Sequence, residues 1–147
     1  MKETRENSFV MQIQGNMVAL ISLAIALSSL GYSTWRNEKT EYNRNQRYAG
    51  FEILLKLNEL QQVVFQRRYD MDELDKGNPR LGWTYALTIK DLSQVMAPIS
   101  QQKAKMLIAT WDNNWENLGD KQTSVDAVLK SIDEMRSETL RQIKSLD

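Results

Sequence analysis

From Asn7 to Trp35 the chain carries no Asp, Glu, Lys or Arg, although 26% of all its residues are charged. No other feature restricts the fold as strongly. The densely apolar part of this tract, Met17 to Trp35, would rise about 29 Å as a helix, close to the roughly 30 Å of a hydrocarbon core. A stretch of that length and composition reads as a membrane span. Tyr32 and Trp35 stand at its C-terminal end, where amphipathic rings favour the headgroup layer, and Arg36 and Lys39 follow directly. Residues 1–16 read as a short polar leader that fades into the span through Gln12, Gln14 and Asn16. A cleaved signal peptide is the competing reading, with Lys2 and Arg5 as its basic region and Ala24-Ile25-Ala26 as the cleavage site. The late apolar start, the acidic Glu3 and Glu6, and the aromatic-then-basic border favour an anchor at 17–35.

Basic residues flanking a span set its orientation. Lys2 and Arg5 lie on the leading side, against Arg36, Lys39, Arg44 and Arg47 on the trailing side. The balance places the N-terminus outside and the larger C-terminal part in the cytoplasm, at an inner membrane. The same four trailing residues form a basic cluster suited to anionic lipid, which Glu38 and Glu41 weaken.

Within the tract, small residues recur at Gly15, Ala19, Ser22, Ala26, Ser29 and Ser33, in alternating steps of four and three. In lipid, helix pairs associate through close backbone approach and hydroxyl bonds, so this spacing predicts a helix-association seam. The line extends back to Gln12. Met17, Leu20, Leu23, Leu27 and Leu30 would then face lipid. The serines at 22, 29 and 33 are also compatible with a narrow wet path in a larger assembly.

Beyond the span the chain reads as helix almost throughout, with expected helices at 36–69, 81–97, 100–118 and 124–146. Nothing separates Trp35 from the first of these, so the membrane helix is expected to run on to about Tyr69, weakened only at Gly50. Ala49, Ile53, Leu57, Leu60 and Val64 form one apolar stripe along it. Phe51, Leu54, Leu55 and Phe65 form another, so two sides require cover. Gly77, Asn78 and Pro79 mark a turn. Leu81, Tyr85, Leu92, Val95 and Met96 are the expected inner face of the next helix, which Pro98 ends. Ser100 is expected to cap a helix carrying Ala104, Leu107, Ile108, Trp111, Trp115 and Leu118, with Gly119 in a left-handed conformation after it. Thr123 and Asp126 resemble a capping box for the last helix. Its inner residues are Val125, Val128, Leu129, Ile132, Met135, Ile143 and Leu146, with Asp133, Glu134, Arg136, Glu138, Arg141 and Lys144 on the wet side. The fold class is therefore all-α: one N-terminal transmembrane helix followed by a soluble antiparallel helical bundle over 36–147.

The chemistry left open is narrow. The chain has no Cys and no His, which removes thiolate and imidazole metal ligands, cysteine nucleophiles and the usual neutral-pH base. Nineteen basic residues balance nineteen acidic ones, so no global field steers the protein to nucleic acid. Asp70, Asp72, Glu73 and Asp75 look at first like a calcium loop. The third ligand position is Leu74 and the closing position Leu81, so a solvated acidic turn is expected instead. Arg67 and Arg68 are compatible with a phosphate if several chains bring them together, but pairing with Asp70 or Asp72 is the expectation. Trp111 and Trp115, one turn apart, continue the stripe of their helix and read as core or subunit contact. With Phe51, Leu54, Leu55 and Phe65 they form the candidate interaction surface.

The sequence therefore implies no catalytic residues, no metal and no cofactor. Membrane lipid and a second copy or membrane-protein partner are the expected contacts, and an unidentified small-molecule ligand is compatible. The expected function is a non-enzymatic scaffold or interaction subunit. The alternative is a ligand- or stress-responsive effector whose oligomeric span perturbs the membrane.

Overall fold

The computed structural model describes the backbone of residues 2–146 and the side chains of residues 15–146. The backward extension of the small-residue line to Gln12, and the leading charges Lys2 and Arg5, lie outside the described side chains. The described residues form helices and no strand: α1 (Lys2–Tyr69), α2 (Pro79–Leu92), α3 (Pro98–Asn114) and α4 (Gln122–Ser145). Two compact units divide the chain, Met1–Tyr42 and Asn43–Asp147.

In the first unit the chain is helical from Lys2 onward, including the polar leader. Large apolar and aromatic side chains from Met17 to Trp35 are all between 54% and 66% exposed. A Cβ at Gly15 or Gly31 would meet nothing within 4 Å. One stretch of α1 is long and apolar enough to cross a membrane.

The second unit is built on a single apolar cluster to which all four helices contribute. On α1, Ala49, Ile53, Leu57, Leu60 and Val64 are buried as their spacing requires, joined by Val63. Fully burying a side chain such as Leu57 stabilises by about 1.5–3 kcal/mol. Gly50 is buried here because Ile143 of α4 packs against it: a Cβ would lie 2.7 Å from Ile143 Cδ1. Polar contacts tie α1 to α4 along its length. Gln142 meets Gln46 at 2.7 Å, while Arg136 reaches Asn58 at 3.0 Å and Gln61 at 2.8 Å. Residue numbers thus fall along α4 as they rise along α1. The same opposition holds between α3 and α4, where Ser100 meets Gln142 and Lys103 meets Glu134.

Several local expectations are corrected. The inner face of α2 is Gly82, Ala86 and Ile89, followed by Ser93 in a 3-10 turn over Ser93–Val95. Of the expected face, Met96 is buried and Tyr85 and Leu92 pack partly buried against the core, while Leu81 and Val95 are exposed. At Gly82 the cause is Trp111: its indole fills the space a Cβ would need, so glycine turns inward there. Pro98 does not merely end a helix; it opens α3 in the first turn, where its fixed φ fits and its missing N–H costs nothing. Ser100 is consequently inside α3 rather than at its cap, and is fully buried.

No described glycine has positive φ, so Gly119 is not left-handed. Its small size serves Arg67 instead, whose Cζ would lie 3.1 Å from a Cβ there. Thr123 and Asp126 form no capping box: α4 starts at Gln122, without a side-chain cap, and Asp126 accepts from Gln122 Nε2 at 2.9 Å. Glu138, expected on the wet side, is 8% exposed.

Candidate functional site

The turn after α1 is held by its own side-chain-to-backbone hydrogen bonds. Asp72 turns its carboxylate back onto the chain, Oδ1 accepting from the backbone N–H of Leu74 and Asp75 and Oδ2 from that of Gly77. These bonds, led by the one from Asp75, hold the Asp72 carboxyl below its ordinary value of 3.8. They also use both oxygens for turn formation. Met71 takes a left-handed φ of 52° at the same corner, and a Cβ on Gly77 would strike the Asp72 carbonyl. The acidic cluster is thus a self-bonded turn. Among the described residues no group of three metal-ligating side chains is gathered anywhere.

Arg67 and Arg68 do not pair with Asp70 or Asp72. Arg67 Nη1 donates to Glu73 at 2.5 Å. Arg68 reaches across to the link before α4, donating to the Gly119 carbonyl at 2.6 Å and to Gln122 Oε1 at 3.2 Å. A cleft of about 270 Å³ opens beside them, lined by Arg67, Glu73, Pro79, Trp115 and Glu116. Arg67 Nε is buried there without a partner.

A buried polar cluster joins three helices. Gln142 Oε1 accepts from the Ser100 hydroxyl at 2.6 Å and from the Ala97 N–H at 3.2 Å, while its Nε2 donates to Gln46. Glu138 lies 3.4 Å from the Ser100 hydroxyl and is held by Arg141 through two hydrogen bonds of 2.6 and 2.9 Å. Each charge or amide is answered by a neighbour, which is what burial of polar groups demands.

The expected interaction residues separate. Trp111 is fully buried and is removed from any surface role, and Leu54 packs partly buried against the core. Trp115 is half-buried in the 3-10 turn Trp115–Asn117. Phe51 and Leu55 remain 54% exposed and Phe65 39%. On the first unit, Gly15, Ala19, Ser22, Ala26, Ser29 and Ser33 are all exposed. Tyr32 and Trp35 stand with ring centroids 6.1 Å apart, and Lys39 Nζ sits 5.9 Å over the Trp35 ring. Arg36, Lys39, Arg44 and Arg47 are exposed, the first two in the first unit and the others in the second.

Exposed apolar helix surface thus lies on both units, while an open cleft of about 680 Å³ lined by charged side chains, among them Lys103, Glu134, Glu138 and Arg141, lies along α3 and α4. No protein family, curated protein or solved structure matches the chain.

Proposed function

We propose that this chain is a small single-pass protein of the inner membrane, working as a non-enzymatic scaffold. Residues 17–35 cross the bilayer, the N-terminus lies outside, and residues 36–147 form an antiparallel helical bundle in the cytoplasm. The observation that carries the reading is the uniform exposure of the large side chains from Met17 to Trp35, none below 54%. Apolar surface of that extent needs cover, and a bilayer supplies it. The Tyr32, Trp35 and Lys39 grouping supports a headgroup border at the C-terminal end. Arg36, Lys39, Arg44 and Arg47 support the cytoplasmic placement and an attraction to anionic lipid of around 1 kcal/mol per residue near the surface. Self-association is supported by the small-residue spacing from Gly15 to Ser33.

Reporter fusions test the topology. A fluorescent protein joined after Asp147 is expected to be bright and membrane-bound, and alkaline phosphatase at the same point inactive. An active phosphatase would overturn the orientation, and a soluble fusion would overturn the anchor.

A further inference from the structure

We infer that the outer face of α1 in the second unit is a parallel dimer interface for a second copy of this chain. Tyr48, Phe51, Leu55, Phe65 and Tyr69 are all exposed on it, with polar Asn58 and Gln62 at the two intervening positions. The seven residues are spaced three and four apart in strict alternation, the a and d positions of a heptad. The residues that α1 buries in its own core, among them Ile53, Leu57, Leu60 and Val64, occupy the b, c and f positions. One helix thus spends its inner face on the monomer and keeps a coiled-coil seam outward. Phe65 and Tyr69 already associate on that seam, with ring centroids 6.1 Å apart.

Charge selects the partner and its direction. In a parallel, in-register pair a g residue faces the e residue five positions later on the other helix. Here that places Arg47 of one copy against Glu52 of the other, twice by symmetry. Both are exposed, and neither makes a salt bridge among the described residues. Gln62, and Asn58 through the Nδ2 that its bond from Arg136 to Oδ1 leaves open, supply the polar seam positions that fix register and strand number. The small residues Gly15, Ala19, Ser22, Ala26, Ser29 and Ser33 carry the same alternation of four- and three-residue steps in the sequence.

The inference rests on the anchored, self-associating reading above, and single-cysteine crosslinking of the full chain in native membranes separates the two. The chain has no cysteine, so each introduced thiol is the only one. Phe51→Cys, Leu55→Cys and Gln62→Cys are expected to give disulfide dimers with copper phenanthroline, while Asp126→Cys on α4 does not. Arg47→Glu should weaken Leu55→Cys dimer formation roughly tenfold, by turning two attractive pairs repulsive, and adding Glu52→Arg should restore it. Crosslinking at Ala26→Cys without crosslinking at Leu55→Cys would overturn the inference and leave the anchored reading standing. Monomers at every position would overturn both the inference and self-association. Shielding of Leu55→Cys from a soluble maleimide by lipid or another protein, without self-crosslinking, would also overturn the inference.

Discussion

Gln142 and Gln46, 96 positions apart in sequence, join through their side-chain amides: Nε2 of Gln142 donates to Oε1 of Gln46 over 2.7 Å, with both residues buried. The contact fastens the start of the α1 core face to the end of α4. Because Gln142 Oε1 also serves Ser100 and Ala97, this one amide satisfies groups on α1 and at the start of α3 at once.

Replacing Gln142 by Leu keeps the bulk and removes every one of those bonds. Each buried polar group left unpaired costs about 1–3 kcal/mol, so Gln142→Leu should destabilise the second unit by about 2–4 kcal/mol. Denaturant unfolding followed by tryptophan fluorescence measures it. Ser100→Ala, which leaves the Gln46 and Ala97 bonds in place, should cost less. Equal losses in the two variants would contradict this division.

Two glycines make opposite forecasts. At Gly82 a Cβ would run into the rigid indole of Trp111, and overpacking of that kind costs about 1–3 kcal/mol. At Gly50 the obstacle is Cδ1 and Cγ1 of Ile143, an aliphatic branch that can rotate where an indole cannot, and the gain of up to about 1 kcal/mol in helix propensity offsets its displacement. Gly82→Ala should therefore lower the thermal midpoint clearly while Gly50→Ala changes it little. The reverse ranking would show that the indole, not the isoleucine, is the side chain that yields.

The turn at Asp72 should be sensitive to acid. Its folded carboxyl sits below the ordinary 3.8 because backbone N–H groups, first that of Asp75 and then that of Gly77, hold the ionised form. A depressed folded value means that ionisation favours the folded turn: the contribution is complete above about pH 4 and disappears as pH falls through the lower folded value. Hydrogen exchange at the Leu74, Asp75 and Gly77 amides should accelerate over that window, relative to core amides of α4. In Asp72→Asn the exchange should be faster at neutral pH and lose this acid transition.

Arg68 should stabilise the link before α4 without any role in binding. Arg68→Ala removes the bonds to the Gly119 carbonyl and to Gln122. Local proteolysis near residues 119–122 should increase, and membrane association should stay unchanged. A lost membrane association would give Arg68 a different assignment.

These contacts also mark how far the sequence could be read. The α1 core stripe was legible because Ala49, Ile53, Leu57, Leu60 and Val64 repeat at helical spacing on a helix with nothing to break it before Tyr69. The inward face of α2 is legible only in part, since apolarity favours Leu81, which is exposed, whereas the space left by Trp111 at position 82 admits only a glycine. Ser100 and Glu138 were misplaced for a related reason. A polar residue looks like a cap or a wet face until its partner is known, and the partners Gln142 and Arg141 emerge only from the packing of α3 on α4 or the local turn. The outward seam of α1 was visible in part: Phe51, Leu55 and Phe65 stood out as apolar, but Leu54 and Trp111 could be removed only by their burial.

The membrane reading of residues 17–35 meets its most direct test in alkaline carbonate extraction of cells expressing the full chain, with intact mass taken on the pelleted protein. The expected result is a chain that stays with the membranes and retains every residue from 15 to 35. A chain released to the supernatant, or one trimmed after Ala26, would contradict it.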